Sequence, residues 1–364
     1  MRVPDILRAL GRAVRLSGTK TEDITMQAYR ITAGQGIGSL QRGALAARAP
    51  GPHEVRVRVK AVSLNFRDLM VARGGYLKPA DAPVIPASDA AGEVVDVGAG
   101  VTRYRPGDRV MGAFFPDWID GESDPVNTAR VPGAASDGVL ASEVIFSEHS
   151  LVAIPDSLSD EQAATLPCAA VTAWSALFVA GRAKAGQTAL LLGTGGVSIW
   201  GLQLAKAAGL RAIITSSSNE KLARARELGA DHVINYRDNP EWQDEVLRVT
   251  GGEGAHVVLE VGGEGTLERS VAAVRHGGAV GIIGGVSGFD SVPVSPLALI
   301  AGHKRLEGIL VGSRKMLEDV TRLVDSAGIA PVIDRVYGFD EAPAAFERLA
   351  SGRHFGKIVI RVDR

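Results

Sequence analysis

The stretch Thr188–Gly209, TALLLGTGGVSIWGLQLAKAAG, is the part of this chain that indicates its fold most directly. A short apolar run stops at the turn Gly193-Thr194-Gly195-Gly196, and a helical pattern of apolar residues follows at once and ends at Gly209. A strand, a tight turn and a helix in this order offer unpaired N–H groups and the positive end of the helix dipole to an anion. The anion that such a turn usually binds is a pyrophosphate.

The residues that follow repeat the same pattern. Apolar runs at 211–215 and 232–235 flank a helix predicted over Glu220–Leu228. Strands that alternate with helices at this spacing are typical of a doubly wound parallel sheet, so the predicted fold class is α/β. The glycine turn alone is a weak signal, because the third glycine of the G-x-G-x-x-G template is replaced by Ser198, and a purely structural turn is the alternative.

Composition excludes several classes of function. The 364 residues are enough for two domains of ordinary size. The net charge is −1, with acidic and basic residues interspersed, so nucleic acid is not an expected partner. The single cysteine, Cys168, excludes an internal disulfide and a multi-cysteine zinc lobe. No apolar run approaches a membrane span and no secretion signal is evident, so we expect a soluble, cytoplasmic protein with no membrane partner.

The pattern along the chain predicts three parts. Residues 1–25 form an N-terminal extension with a short basic helix, which is either a plain tail or a surface-binding or targeting helix. Residues 26–155 alternate short strands and turns and predict a β-rich domain, in which 114–136 forms a long surface loop. Residues 156–296 are the dinucleotide-binding domain and begin with a helical segment over 159–180. Residues 297–364 return to the β-rich domain, which is therefore discontinuous.

Five motifs resemble the medium-chain dehydrogenase/reductase superfamily, in its zinc-free quinone oxidoreductase-like branch. They are SLNFRD (63–68), AGEVV (91–95), PGDRV (106–110), GTGGV (193–197) with GLQLAK (201–206), and FGKIV (355–359). The resemblance covers residues 26–364. It implies a β-rich GroES-like catalytic domain beside a Rossmann domain, with a small-molecule substrate between them. It also implies homodimers, commonly built by joining the nucleotide-domain sheets edge to edge.

The residues at the metal-ligand positions of this family argue against zinc. Zinc alcohol dehydrogenases hold the metal with a cysteine, a histidine and a second cysteine, with a carboxylate nearby. Here the first position holds Asn65, the His-Glu pair is replaced by Ser88-Asp89, and only Cys168 remains. Catalytic Zn²⁺ strongly favours thiolate and imidazole ligands. We therefore predict no metal site, and Cys168 is interpreted as a buried core thiol.

Cofactor choice depends on the end of the second strand of the nucleotide domain. NAD-binding proteins place Asp or Glu there, whereas this chain has Thr215-Ser216-Ser217-Ser218. Small hydroxyls can donate to a 2′-phosphate and Lys221 can pair with it, although Lys221 could equally be a solvated helix lysine. The sequence therefore predicts NADPH. The predicted cofactor contacts are Thr172, Gly193, Thr194, Gly195, Gly196, Val197, Ser216, Ser217, Lys221, Tyr236, Gly284, Gly285, Gly356 and Lys357.

Three residues are the candidates for catalysis. Without a metal, hydrogen-bond donors must stabilise the charge that develops on the substrate. By the family resemblance Asn65 faces the nicotinamide. Tyr76 is a proton donor or a loop aromatic, and Asp68 is a proton relay, an orienting partner of Arg67, or a helix cap. Because a conjugated acceptor needs less polarisation, we predict hydride transfer to a quinone or an enone-type double bond. The alternatives are a zinc-independent alcohol or carbonyl dehydrogenase and a non-catalytic nucleotide-binding protein.

Overall fold

The structure is a computed structural model and describes residues 25–76 and 82–362. The helix predicted within residues 1–25 lies outside the described part of the chain. The first half of the chain is β-rich, as predicted, and contains one longer helix, α1 (Phe66–Arg73). Its strands are β1 (Thr25–Arg30), β2 (Gln41–Ala46), β3 (Glu54–Leu64), β4 (Asp89–Val97), β5 (Arg109–Gly112), β6 (Glu143–Ser147) and β7 (Leu151–Ala153).

One part of this half differs from the prediction. Residues 114–136 were expected to form a surface loop, but Phe114, Phe115 and Trp118 are buried and form a cluster with Val131. The Phe114 and Phe115 rings pack edge to face with their centroids 4.7 Å apart. The segment has no regular secondary structure. Its polar turn residues suggested a surface loop, but its aromatic residues pack into the interior.

A continuous helix, α2 (Asp160–Ala180), joins the two halves. Ser159 and Gln162 form a capping box at its start: the Gln162 N–H donates to Ser159 Oγ over 3.2 Å, and the Ser159 N–H donates to Gln162 Oε1 over 2.9 Å. Helix α2 is long and apolar enough to cross a membrane, with a mean hydropathy of 1.6, which the sequence reasoning overlooked. Because 72% of that window is buried inside the protein, α2 is interpreted as a core helix.

The second half contains the predicted parallel sheet. Its strands are β8 (Thr188–Leu191), β9 (Arg211–Ser216), β10 (His232–Asn235), β11 (Ala255–Glu260), β12 (Val274–Ile282) and β13 (Arg305–Gly308). Across the sheet the order is β10-β9-β8-β11-β12-β13, and every pair is parallel. The helices between these strands are α3 (Gly196–Ala207), α4 (Asn219–Glu227), α5 (Trp242–Val249), α6 (Leu267–Ala273) and α7 (Pro296–Gly302). The strand order reverses at β8, where doubly wound sheets bind ligands.

The boundary predicted after residue 296 is too early. Strand β13 pairs with β12, from Ala279↔Arg305 to Ile282↔Gly308, so the parallel sheet extends to residue 308. The return to the first half comes later, with α8 (Arg314–Ser326), β14 (Ile333–Gly338), α9 (Ala342–Ala350) and β15 (Lys357–Arg361). Strand β15 pairs with β3, and the resulting sheet has the order β14-β15-β3-β4-β5-β7, with β6 also paired to β3. Residues 314–361 therefore return to the β-rich half of the chain, which is built from two separate stretches of sequence.

Gly356 lies where the returning segment meets the nucleotide half. Its N–H donates to the Thr194 carbonyl over 3.1 Å, and its φ of +78° is in the left-handed region. A Cβ at this position would lie 2.5 Å from the Val332 carbonyl oxygen. Only glycine fits both the conformation and the space.

We expect Gly356→Ala to lower the free energy of unfolding by about 3 kcal/mol, the sum of left-handed strain and overpacking. Gly352→Ala is the matched control, because Gly352 also has positive φ, +64°, but nothing lies within 4 Å of its Cβ position. We expect that control to lose about 1 kcal/mol from backbone strain alone. Urea unfolding measures both values, and equal losses would contradict the steric argument.

Candidate active site and cofactor cleft

A cleft of about 1180 Å³ runs between the carboxyl ends of the parallel strands and the catalytic half. Such a volume exceeds that of most small-molecule sites and has room for a dinucleotide. The cleft brings together every predicted site residue except Asp68. Those lining it are Asn65, Tyr76, Thr172, Gly193, Thr194, Gly195, Gly196, Val197, Ser216, Ser217, Lys221, Tyr236, Gly284, Gly285, Gly356 and Lys357.

The glycine turn follows β8 and leads into α3 at Gly196. Gly193 has φ of +75°, and its N–H donates to Thr215 Oγ1 over 3.1 Å. Ser198, at the third template position, is buried and donates its hydroxyl to the Leu192 carbonyl over 2.6 Å. The close helix–strand packing that a third glycine permits is provided by Gly201, whose Cβ would lie 2.8 Å from Leu259 Cδ2. The serine at 198 is therefore compatible with a nucleotide turn.

The end of β9 presents hydroxyl groups to the cleft. Ser216 is its last residue, and its Oγ lies 3.4 Å from Thr194 Oγ1. Lys221 Nζ donates to the Gly352 carbonyl over 2.9 Å, so this lysine ties α4 to the C-terminal segment as well as lining the cleft. Burial lowers the pKa of Lys221. Tyr236 is 41% exposed and forms the outer wall.

His354 is a residue of the cleft that the sequence reasoning missed. Its Nε2 would lie 3.9 Å from a Cβ on Gly195, so it faces the glycine turn. Burial, reinforced by the nearby Lys221 charge, lowers the pKa of His354 to about 4. Its position two residues before the glycine of the FGKIV motif was the only signal in the sequence.

We expect NADPH binding near pH 5 to take up protons through His354. The free protein keeps this imidazole neutral above a pKa of about 4, and the negative charge of a bound phosphate raises that pKa, so part of the population gains a proton. Calorimetry in two buffers with different ionisation enthalpies measures the uptake. The His354→Gln variant should bind NADPH with less uptake, and an unchanged value there would show that another group titrates.

Asn65 lies between the end of β3 and the start of α1. Lys357 Nζ donates to Asn65 Oδ1 over 2.5 Å and to the Leu64 carbonyl over 2.6 Å. Asn65 Nδ2 is buried and has no well-formed hydrogen bond among the described residues, but it is close enough to Asp89 to lower the pKa of that carboxyl against the larger effect of burial. The residue therefore brings to the cleft an amide donor that is only weakly engaged.

Asp68 does not line the cleft, so the structure shows it away from the reacting groups, and its role as a proton relay stays a prediction. It is buried in the first turn of α1, where its Oδ2 accepts the Asn65 N–H over 2.8 Å. Burial raises its pKa to about 6, against the lowering effect of the Arg67 guanidinium. Asp68 therefore caps α1 in a capping box with Asn65, and its Oδ1 also accepts from Arg67 Nη1 over 3.4 Å, so two of its three predicted roles are observed.

Tyr76 lines the cleft and is part of an aromatic cluster. The Arg67 guanidinium carbon lies 4.9 Å from the Tyr76 ring centroid and 5.4 Å from that of Phe114. Arg67 Nη1 donates to the Pro132 carbonyl over 2.8 Å. Burial raises the pKa of Tyr76, so its hydroxyl stays protonated at neutral pH. Both of its predicted roles, a donor and a packed loop aromatic, are compatible with this position.

The residues at the metal-ligand positions do not suit zinc. Asp89 is buried, with one oxygen accepting from Ser88 Oγ over 2.7 Å and the other from the Cys168 N–H over 3.0 Å. Cys168 is half-buried and lines the cleft, so it is not the fully buried core thiol that was predicted. Desolvation still raises the pKa of its thiol, so it is protonated rather than a thiolate. The Lys357 ammonium lies in the same group of side chains, and its charge opposes binding of a cation. We therefore derive no step through a metal.

Two families match this chain over most of its length. Residues 51–156 match the alcohol dehydrogenase GroES-like domain, and residues 196–326 match the zinc-binding dehydrogenase family. A zinc-type alcohol dehydrogenase-like protein of Schizosaccharomyces pombe is 42% identical over 319 residues, 86% of this chain and 92% of that protein. A quinone oxidoreductase-like protein 2 homolog of Nematostella vectensis is 27% identical over 86% of this chain and 83% of that protein.

The fold of a solved enzyme agrees with these matches. The crystal structure of an NAD-dependent alcohol dehydrogenase superposes with a TM-score of 0.84 at 32% identity, covering 93% of this chain and all of that one. Its α/β architecture has the same two halves as the present chain. The names of these proteins differ in metal, cofactor and substrate, so those details must come from the cleft itself.

Proposed function

The chain belongs to the medium-chain dehydrogenase/reductase superfamily of oxidoreductases, and we propose that it is an NADPH-dependent reductase of quinones or enone-type double bonds that works without a metal. The observation that carries this proposal is the cleft, in which the hydroxyl-lined end of β9 and the Asn65 amide lie along one channel. The end of the channel at β9 suits the phosphate groups of a dinucleotide. The end at Asn65 suits a substrate oxygen that gains negative charge during the reaction.

NADPH is preferred because the end of β9 has no carboxylate. Ser216 and Ser217 line the cleft there, and the Lys221 ammonium follows at the start of α4. A 2′-phosphate would meet hydroxyl donors and a positive charge instead of the acidic residue that selects NAD. Gly193 to Gly196 and the first turn of α3 would hold the pyrophosphate through backbone N–H groups.

Bound NADPH would supply the hydride. Asn65 would donate its Nδ2–H to the substrate oxygen, which gains negative charge when the conjugated double bond accepts the hydride at its far carbon. Tyr76, whose hydroxyl is protonated, is proposed to donate the proton that completes the reduction of the substrate. A saturated ketone places the whole charge on one oxygen, and without a Lewis acid it gains less from a neutral amide donor.

The test is turnover by the purified wild-type protein, followed as loss of NADPH absorbance. We expect activity with a naphthoquinone and with cyclohexenone, and little with cyclohexanone, which differs from cyclohexenone only in the conjugated double bond. Activity with cyclohexanone alone would favour an alcohol or carbonyl dehydrogenase, the runner-up, to which the names of two relatives point. Tight NADPH binding without any turnover would favour a nucleotide-binding protein that is not catalytic.

We also propose that the protein is a homodimer joined through the edge of its parallel sheet. Strand β13 is at the edge of that sheet, and the adjacent helix α7 exposes Leu297 at 72% and Ile300 at 77%. Apolar side chains beside a free strand edge suit pairing with a second copy. Light scattering after size exclusion should give twice the chain mass, and Ile300→Asp should shift it towards the monomer. A monomeric wild type would contradict the proposal.

A further inference from the structure

Lys357 is a buried cation at the centre of the catalytic end of the cleft. The residue is 3% exposed and begins β15, far along the chain from the residues that its side chain meets. Its stem lies against the glycine turn, where a Cβ on Gly196 would be 2.6 Å from Lys357 Cδ. Burying a lysine is unfavourable unless its charge and its donors are satisfied. The groups around the Lys357 ammonium must therefore compensate for its burial.

The surroundings of the ammonium are polar and acidic. It donates to the Leu64 carbonyl and to Asn65 Oδ1, as described above. Asp89, at the start of β4, is close enough for the Lys357 charge to lower its pKa against the larger effect of burial, which raises it. The same positive charge lowers the pKa values of Cys168 and Asp68, against the larger effect of burial, which raises both. Lys357 thus belongs to one group of neighbouring side chains with Asn65, Asp89 and Cys168, the residues at the family's metal-ligand positions.

We propose that the Lys357 ammonium takes the place of the metal ion and acts as a permanent internal cation that orients and polarises the Asn65 amide. This inference rests on the proposed reductase function, because it concerns how Asn65 meets the substrate oxygen. It goes beyond that function by assigning to Lys357 a positioning role, in addition to the cofactor contact predicted from the sequence.

The hydrogen bond explains the orientation of the amide. An ammonium has three donors and no acceptor, so the atom of Asn65 that faces it must be the oxygen. Nδ2 is therefore turned away from Lys357, on the side of Asp89, and it has no well-formed hydrogen bond among the described residues. A charge-assisted bond to the carbonyl oxygen draws electron density from the amide and makes its N–H groups better donors. The Asn65 amide is thus preorganised to stabilise the substrate oxygen as it gains negative charge.

No proton leaves Lys357 in this scheme. The hydride forms the new C–H bond, the electron pair of the double bond moves onto the substrate oxygen, and the ammonium stabilises that charge through Asn65. The proton that completes the reduction comes from another donor, for which Tyr76 is proposed. Lys357 enters and leaves the cycle in the same protonation state.

Two variants separate the charge of Lys357 from its packing. Lys357→Met keeps an unbranched stem against Gly196 but has no charge, whereas Lys357→Ala leaves a cavity. We expect kcat to fall about 100-fold in both, with the NADPH dissociation constant changed much less. Added ethylammonium should restore part of the activity of Lys357→Ala by entering the cavity, and it should not restore Lys357→Met, whose stem fills that space. Lys184→Met, at an exposed lysine, is the control and should match the wild type.

A second measurement does not depend on turnover. The Asn65 side-chain amide, labelled with ¹⁵N and identified by its absence in Asn65→Asp, should change its chemical shift in Lys357→Met and not in Lys184→Met. If the wild type showed no turnover, the proposed reductase function would be refuted. The chemical shift of the Asn65 amide would still test whether Lys357 polarises that amide. Near-normal kcat in Lys357→Met, an unshifted amide, or stoichiometric zinc that is lost on Cys168→Ala would each overturn the inference.

Discussion

The Ser216→Asp variant is expected to bind NADH more tightly than NADPH, the reverse of the preference proposed for the wild type. An aspartate at the end of β9 would accept hydrogen bonds from the two ribose hydroxyls of NADH. It would also place a negative charge close to the 2′-phosphate of NADPH. Two like charges about 4 Å apart in a partly solvated site repel by several kcal/mol, and about 3 kcal/mol corresponds to roughly 100-fold in affinity.

Ser216→Asn is the matched control for this change. Asparagine has nearly the same volume as aspartate and carries no charge, so it should weaken NADPH binding only slightly and should not improve NADH binding. Calorimetric titration of both cofactors into the three proteins gives the six dissociation constants that are needed. If Ser216→Asp and Ser216→Asn lost NADPH affinity equally, packing around Thr194 would be the cause, and the electrostatic basis for NADPH would be wrong.

The second large effect is expected at Asn65. An aspartate at this position fills the same space and still accepts a hydrogen bond from Lys357 Nζ, so the local structure should be preserved. The variant removes the N–H donor and adds a negative charge where the substrate oxygen gains one. We expect Asn65→Asp to lower kcat at least 100-fold on the enone substrate, with NADPH binding nearly unchanged.

Asn65→Ala separates the two causes of that loss. It removes the donor without adding charge, so we expect kcat between that of the wild type and that of Asn65→Asp. Thermal unfolding and NADPH titration show whether each variant is folded and binds the cofactor. If Asn65→Asp kept near-wild-type kcat, the amide donor would have no part in the reaction.

The sequence was sufficient for the class of the fold and for the nucleotide end of the cleft. Both are encoded in short segments: an apolar run, a glycine turn and a helical pattern specify each strand–helix unit, and the backbone geometry of Gly193 follows from its lack of a side chain. The serines at the end of β9 and Lys221 were found for the same reason, since the turn places neighbouring residues at a known edge of the sheet.

Local patterns were not sufficient where a contact joins distant segments. Strand β13 was assigned to the wrong half because its short sequence is compatible with either sheet, and only its pairing with β12 decides the matter. Asp68 was named as a candidate for catalysis because a motif shows that a carboxylate is present but not which way it points. The aromatic residues of 114–136 were hidden among polar turns for a similar reason.

Lys357 shows most clearly the difference between what a sequence pattern indicates and what tertiary packing decides. The sequence placed it in the FGKIV motif beside the cofactor, and the cleft contains it. Its bond to Asn65 joins residues 292 positions apart, and it exists because β15 pairs with β3 and directs the lysine stem past Gly196. The chain alone determined which chemical groups are available, through local periodicity and turn geometry. Tertiary packing alone decided which of them meet, because burial and strand pairing bring together side chains that no short-range pattern connects.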